Sequence, residues 1–284
     1  MTLANIKSSE IAVPDFQSVE SCRRTELFGP GLRSMLHVGL APFGSRAASF
    51  HRQCATPGRL AEGLIIILPG IEGCSTINDS IARGLIAGAL PHALKIIDWR
   101  KYRPWNPLHL AMLRHNQAQA AGIADFICKY QRDYPGRPVH LIGHSAGAGI
   151  ALFVLENLSA TNCVESVILL AAAVSRQFNI QSLLKRTRRG IWNFFSPLDL
   201  PTVGLGTIVF GTMDRRHTIS AGALGFRTVH DSISNAVDPE SIEPQLRQMR
   251  FRTTMIRSWN FGGHFGSTNA VFVQHHIAPI CSKK

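Results

Sequence analysis

The amino-acid sequence predicts an α/β fold, in which a parallel central sheet carries helices on both faces. From residue 62 onward, short apolar runs alternate with longer segments of helical periodicity. The apolar runs are continuous, which is typical of strands that are buried on both faces of a parallel sheet. The 284 residues are 45% hydrophobic and only 17% charged, so a large core is expected.

The first three predicted strands and their connecting helices follow one another in regular order. Residues 64–68 are apolar and β-branched and end at Pro69-Gly70, so a buried strand and its turn are expected there. Helical periodicity follows over 75–90, with Ser75 as the N-cap. A second strand is then expected over 92–99, a long helix over 107–134 and a third strand over 139–143.

The second half of the chain continues this alternation. A helix is expected over 146–158, strands over 164–174, 190–195 and 253–260, and a closing helix over 268–277. Residues 200–250 have no clear period, and they are expected to form an irregular excursion near the mouth of the site, with a helix near 239–249. The segment 175–189 is too short for a large cap domain.

The chain is expected to divide into two regions. Residues 1–60 are expected to form an N-terminal extension that is partly disordered or adds edge strands to the sheet, and residues 61–284 are expected to form the α/β domain. The weakly apolar stretch over 23–49 only loosely resembles a signal peptide, so export stays open. The six scattered cysteines slightly favour a reduced, cytoplasmic compartment.

Charge and motifs limit the classes of partner. The chain carries 30 Lys and Arg against 18 Asp and Glu, a formal charge of +12, yet no nucleic-acid-binding motif accompanies this excess. Nucleic acid is therefore an improbable partner, while peripheral contact with an anionic membrane stays open. No C-x-x-C pair or Gly-rich phosphate loop is present, so neither a metal nor an organic cofactor is expected. The sequence does not indicate the oligomeric state.

The central motif is Gly143-His144-Ser145-Ala146-Gly147, which follows an apolar strand and opens a helix. A nucleophilic serine has to leave the sheet at a sharp, strained turn so that its hydroxyl is presented to substrate. Gly143 and Gly147 avoid collisions where strand and helix meet closely. Ser145 is thus the candidate nucleophile. His144 is expected to be structural, because a residue adjacent to the serine points to another side of the turn.

This motif resembles the nucleophile elbow of esterases and lipases of the α/β-hydrolase superfamily, and the order of elements extends the resemblance over residues 62–280. The resemblance implies a mostly parallel central sheet of about eight strands, with helices on both faces. The resemblance implies two backbone donors of an oxyanion hole, Ala146 and Ile71. The loop departs from the common His-Gly pattern because Pro69 stands in place of the histidine. Glu72 is unexpected there, and it is expected to point away or to pair with a nearby arginine.

Chain order in this fold places an acid and then a histidine after the serine. Among the downstream histidines, His264 follows the last predicted strand between glycines and is the candidate base. Asp199 follows the fifth strand and is the candidate acid, and Asp214 is the alternative because it follows the strand-like stretch 207–213. Together these residues predict acyl transfer through an acyl-enzyme.

The expected substrate is a carboxylic ester, either a small-molecule acyl ester or a lipid. Three alternatives stay open, namely a thioesterase, an acyltransferase on the same fold and a non-catalytic binding protein of similar fold.

Overall fold

Six strands form a single sheet in which every neighbouring pair is parallel, in the spatial order β2-β1-β3-β4-β5-β6. The computed structural model describes residues 24–40, 54–101, 107–201, 205–227 and 245–282. The strands are β1 (Leu64–Leu68), β2 (Ala93–Ile96), β3 (Val139–His144), β4 (Ser166–Leu170), β5 (Gly190–Phe195) and β6 (Gln245–Arg250).

Helices connect the strands and cover both faces of the sheet. The α-helices are α1 (Arg24–Leu40), α2 (Pro57–Leu60), α3 (Thr76–Ala87), α4 (Leu113–Asp133), α5 (Ala146–Asn157), α6 (Gln181–Leu184), α7 (Leu205–Phe210), α8 (Ala221–Leu224), α9 (Ala270–Phe272) and α10 (Ala278–Ser282). A π-helical stretch over Val273–Ile277 joins α9 to α10, and short 3₁₀ turns cover Pro107–Ala111, Pro197–Asp199, Thr253–Ser258 and Gly266–Thr268.

The sheet separates two hydrophobic cores, and β1 contributes to both. Leu64, Ile66 and Leu68 pack with α4 and α5 in the first core. Ile65 and Ile67 pack with α3 and with the helical segment 270–282 in the second core. Successive side chains of a strand point to opposite faces, so a strand between two helical layers is apolar at every position.

The chain reverses its direction of travel across the sheet at β1, which lies between β2 and β3. In the register, Leu68 at the end of β1 is opposite Gly143 of β3, and Gly143 is opposite Leu169 of β4. The carboxyl ends of these strands therefore meet along one edge. Ligands of open parallel sheets bind beyond such ends, at the point where the strand order reverses.

The structure confirms the parallel sheet and its helices, but it corrects several elements of the sequence prediction. It has six strands among the described residues and not about eight, and the N-terminal residues 24–40 and 57–60 are helical. The stretch 207–213 contains α7 and not a strand. The predicted strand over 253–260 is a 3₁₀ turn, and part of the predicted helix 239–249 is β6, while 239–244 lies outside the described residues.

The misassigned last strand has a physical explanation. The sequence of β6, Gln-Leu-Arg-Gln-Met-Arg, is largely polar. Among the described strands it pairs with β5 alone, its four central residues are half-buried and its two end residues are exposed. The guanidinium of Arg247 lies 4.7 Å from the centre of the Trp192 ring, so a charged side chain covers the sheet where an apolar one would be expected. A search for continuous apolar runs does not detect such a strand.

Candidate active site

Ser145 lies between the last residue of β3 and the first residue of α5, in a strained backbone conformation. Its φ of 55° and ψ of −120° are unusual for a residue with a side chain and cost about 1–3 kcal/mol. The end of β4 and the segment that follows it hold this conformation: the Ser145 N–H donates to Leu170 O at 2.9 Å, and Ser145 O accepts from Ala173 N at 3.1 Å. The Ser145 side chain is thereby presented at the carboxyl edge of the sheet.

The two glycines of the elbow lie where a side chain cannot fit. A Cβ atom on Gly147 would lie 2.1 Å from the carbonyl oxygen of Leu68, and one on Gly143 would lie 2.5 Å from the Cα of Ala148. Both obstacles are backbone atoms, so they cannot move aside by changing a rotamer. These contacts explain why the elbow has glycine on both sides of Ser145.

The loop over 69–73, which follows β1, runs directly past the serine. A Cβ atom on Gly70 would lie 3.0 Å from the Cβ of Ser145. Three side chains hold the carbonyl groups of this loop, which is therefore preorganised: Trp99 Nε1 donates to Pro69 O at 2.7 Å, Arg100 Nη1 donates to Ile71 O at 3.3 Å, and Asn78 Nδ2 donates to Gly73 O at 2.8 Å.

The two backbone N–H groups that the resemblance implies flank this junction. Ala146 is the first residue of α5, so its N–H has no partner inside the helix. Among the described residues, turns and loops also form backbone–backbone hydrogen bonds, and neither Ala146 N nor Ile71 N donates one of these. Both groups belong to segments that border Ser145.

The candidate base and acid form a direct contact. His264 Nδ1 lies 3.0 Å from Asp199 Oδ2, and the Asp199 side chain is fully buried. Asp199 ends the 3₁₀ turn that follows β5. Ser196 Oγ accepts from Gly263 N at 3.0 Å and thereby joins the two loops that carry the acid and the histidine. Asp199 thus orients the His264 ring, and Ser196 holds the backbone of the loop that carries it.

The alternative acid, Asp214, lies in a different set of contacts. Its Oδ1 accepts from Ser175 N at 2.8 Å, its Oδ2 accepts from the Ser175 hydroxyl, and Arg216 lies 3.7 Å away. These bonds hold the turn after α7 against the segment that follows β4. Asp214 is therefore engaged in a structural contact, while His264 is paired with Asp199.

His144 and Glu72 form a buried pair beside the elbow. His144 Nδ1 lies 3.2 Å from Glu72 Oε1, which also accepts from Gly70 N at 3.0 Å. His144 Nε2 lies 3.2 Å from His264 O. One imidazole thus connects the loop after β1, the elbow and the histidine loop.

The protonation state of this pair follows from its contacts. Burial alone would lower the pKa of His144, but the Glu72 charge and hydrogen bond, the His264 carbonyl and the Asp199 charge together raise it. Burial alone would raise the pKa of Glu72, but the charge and hydrogen bond of His144, with the backbone hydrogen bonds, lower it. The folded state therefore favours an imidazolium–carboxylate pair.

From the sequence, Glu72 is expected to point away or to pair with a nearby arginine, and His144 is expected to be structural. Arg100, the nearby arginine, instead pairs with Asp98 at 2.9 Å. The signal for the Glu72–His144 contact was the position of His144 at the end of β3 and of Glu72 in the loop that follows the neighbouring strand β1. It becomes usable only once the pairing of Leu68 with Gly143 is known.

The structure brings Ser145 and His264 to the same edge without joining them. In the described part of the chain, no hydrogen bond connects the Ser145 hydroxyl to the His264 ring. The His264 ring lies 4.9 Å from the ring of His144, the residue next to the serine. Nucleophile–base contacts of this kind often tighten only when substrate binds.

Among the described residues, no cluster of three His, Cys, Asp or Glu side chains is able to hold a metal ion. Across the same residues, each helix is too short or too polar to cross a bilayer.

Neither a family model nor a curated protein matches the sequence. Among solved structures, the chain is similar to a Trichoderma reesei cutinase in complex with a C11Y4 phosphonate inhibitor, with 10% identity and a TM-score of 0.40 over 91% of this chain and 92% of that one. The chain is also similar to a hormone-sensitive lipase from a metagenome library, with 11% identity and a TM-score of 0.41 over 90% of this chain and 99% of that one.

The chain spans about half of an uncharacterized protein from Bacillus cereus ATCC 10987, with 13% identity and a TM-score of 0.36 over 55% of this chain and 52% of that one. These similarities are weak, so a proposal about function has to be argued from the contacts around Ser145.

Proposed function

We propose that this protein is a serine hydrolase of the α/β-hydrolase superfamily that cleaves a carboxylic ester through an acyl-enzyme. The observation that carries the proposal is the buried Asp199–His264 pair, which lies at the same sheet edge as a serine held at a φ of 55°. A serine hydroxyl needs a general base, and the base needs a carboxylate that fixes its tautomer.

In the proposed mechanism, His264 accepts the proton of Ser145 as its Oγ attacks the ester carbonyl. Asp199, bonded to Nδ1, orients the ring and stabilises the imidazolium that forms. The N–H groups of Ala146 and Ile71 stabilise the oxyanion, and His264 then gives its proton to the departing alkoxide. Water, activated by His264, adds to the acyl-enzyme, and the C–O bond to Ser145 breaks to release the acid and regenerate the serine.

The geometry supports preorganisation of the oxyanion donors in particular. Arg100, itself paired with Asp98, holds the carbonyl of Ile71, and Trp99 holds that of Pro69. Donors that are already oriented do not have to reorganise in the transition state, and one such donor contributes about 10²–10³-fold to kcat.

The test compares wild type, Ser145→Ala and Ser159→Ala on p-nitrophenyl esters of increasing acyl length. Ser159 is an exposed loop serine, so its variant controls for loss of a hydroxyl elsewhere. We expect wild type and Ser159→Ala to hydrolyse the esters and to react with a fluorophosphonate, while Ser145→Ala loses at least about 10³-fold in kcat.

Two outcomes would count against the proposal or redirect it. A folded wild type that neither turns over any ester nor reacts with the probe would favour the binding-protein alternative. Labelling of Ser145 without ester hydrolysis would instead direct attention to thioesters or to transfer of the acyl group to an alcohol.

A further inference from the structure

Helix α1 turns its large apolar side chains away from the protein. The residues that face the body are Leu27, Gly31 and Ser34, two of which are small. Phe28, Leu32, Leu36 and Leu40 recur at every fourth position and form an outward stripe, and Leu36 is 61% exposed. An amphipathic helix on a globular protein normally has the opposite arrangement.

Specific contacts fix this orientation of α1. A Cβ atom on Gly31 would lie 2.1 Å from the Trp259 ring, so the helix rests directly on the indole. The amide of Asn269 donates to Gly31 O at 3.1 Å, and Ser34 Oγ accepts from Ala270 N at 3.1 Å. Small and polar groups thus attach the helix to the body, which leaves the large apolar groups outside.

The apolar surface continues from α1 to the candidate active site. The Phe28 ring lies 5.4 Å from the Trp259 ring, which in turn lies 6.1 Å from the ring of Phe261. Gly262 packs against Leu198, the neighbour of Asp199. This surface, called the apolar face below, consists of the exposed side chains Phe28, Leu32, Met35, Leu36, Leu40, Leu198 and Phe261.

Charge is distributed unequally around this face. Residues 245–284 contain six Lys or Arg and no Asp or Glu in sequence. Arg33 on α1 and Arg257 in the 3₁₀ turn that precedes Trp259 are both exposed. Among the residues whose side-chain burial the structure describes, the exposed carboxylates are Glu62, Asp125, Asp133 and Glu156, on or near the layer of α4 and α5. That layer covers the opposite side of the sheet from α3 and α9, against which α1 packs.

We propose that the apolar face docks on a bilayer that contains anionic lipid. The apolar side chains would enter the boundary between headgroups and acyl chains, and Arg33 and Arg257 would meet lipid phosphates. A second copy of this chain fits less well, because pairing two such faces would bring like charges together. Exposed apolar surface rimmed by one sign of charge is the combination that an anionic lipid surface complements.

Docking through this face does not depend on catalysis. Its consequence for substrate choice rests on the proposed function: Leu198 and Phe261 would bring the loops of Asp199 and His264 to the lipid surface, and acyl esters of lipids would be within reach. An experiment with Ser145→Ala protein therefore separates docking from hydrolysis.

The test is flotation of the full-length chain, as wild type and as Ser145→Ala, with phosphatidylcholine vesicles and with the same vesicles containing phosphatidylglycerol. We expect both proteins to float, and more strongly with anionic vesicles. The double variant Leu32→Ser/Leu36→Ser should weaken binding about tenfold or more. Each of Arg33→Gln and Arg257→Gln should weaken it about fivefold.

The matched control is Leu108→Ser/Val209→Ser, which removes two exposed apolar side chains from α7 and the 3₁₀ turn before α4. We expect this control to float like wild type. Equal binding by Leu32→Ser/Leu36→Ser and wild type, or absence of binding to anionic vesicles, would overturn the proposal. Self-association that Leu32→Ser/Leu36→Ser abolishes, without any flotation, would also overturn it and would assign the face to a second copy.

Discussion

The buried pair of Glu72 and His144 should be detectable as a pH-dependent contribution to the free energy of unfolding. The informative variant is Glu72→Gln, because it keeps the size of the side chain and an acceptor oxygen while it removes the charge. In the wild type, one carboxylate oxygen accepts from both Gly70 N and His144 Nδ1. The variant therefore weakens two hydrogen bonds without opening a cavity.

The expected magnitude follows from these two bonds. A hydrogen bond to a charged group contributes about 1.5–3 kcal/mol, and a bond between neutral groups contributes about 1 kcal/mol. Converting two charged bonds into neutral ones should therefore lower the free energy of unfolding by about 1–4 kcal/mol. His144 can lose its proton in the variant, so the larger cost of an unpaired buried charge is avoided.

The pH dependence has a definite sign. The pKa of Glu72 is lowered from 4.5 in the folded state, so its contribution is present above pH 4.5 and is lost as the pH falls through the lowered value. The pKa of His144 is raised from 6.5, so its contribution is complete below pH 6.5 and is lost as the pH rises through the raised value. The difference between wild type and Glu72→Gln should be largest between these two limits.

The assay is urea unfolding at a series of pH values, with the midpoint and the slope measured for each protein. The control is Glu62→Gln, an exposed carboxylate at the entrance to β1, which should change stability by no more than about 0.5 kcal/mol. A stability difference for Glu72→Gln that stays constant up to alkaline pH would refute the assignment of a charged pair. So would a difference no larger than that of the control.

Three further predictions concern other parts of the site and core. Gly147→Ala should abolish activity and destabilise or unfold the protein, because its Cβ would collide with Leu68 O. Gly122→Ala, in an open position of α4, should instead stabilise the protein by about 0.5–1 kcal/mol. Circular-dichroism melts would show the contrast, and a stable, active Gly147→Ala would contradict it. Asp199→Asn should lower kcat by about 10³–10⁴-fold with the fold intact, whereas Asp214→Asn should mainly lower the stability of the fold. Steady-state kinetics and thermal melts would show the reversed pattern if Asp214 were the acid. Burial, with the charges of His92 and Arg189, lowers the pKa of His140 to about 3. As the pH falls below 6.5, this residue should therefore lower the free energy of unfolding by up to about 1.4 kcal/mol per pH unit. His140→Gln should lose less stability over that range, and equal acid sensitivity would count against the neutral state of His140.

The central part of the fold was predictable because its strands are buried on both faces. The sequence of β1 is continuously apolar, and those of β3 and β4 are apolar except at His140, His144 and Ser166. The ends of these strands were predicted to within a few residues. The elbow was predictable for a related reason, since a serine between glycines at a strand–helix junction has few structural explanations. These are features in which local sequence and tertiary environment agree.

The features that were missed depend on contacts between distant parts of the chain. The polar strand β6 is stabilised by its pairing with β5 and by Arg247 over Trp192, neither of which a local pattern reveals. The partner of Glu72 is 72 residues away, and the support of the loop over 69–73 by Trp99 and Arg100 spans about 30 residues. Such contacts follow from strand order and register, which periodicity alone does not determine.

The division of the core by the sheet has a mechanical consequence. The helix that follows Ser145 is anchored in one core, and the helical segment that follows His264 is anchored in the other. The separation of nucleophile and base is therefore set by two packed bodies on opposite faces of the sheet, which the contact of His144 Nε2 with His264 O joins at the edge. Loosening either body, by heat or by a cavity far from the edge, would misalign the two groups before the chain unfolds, so activity would be a more sensitive gauge of packing than global stability.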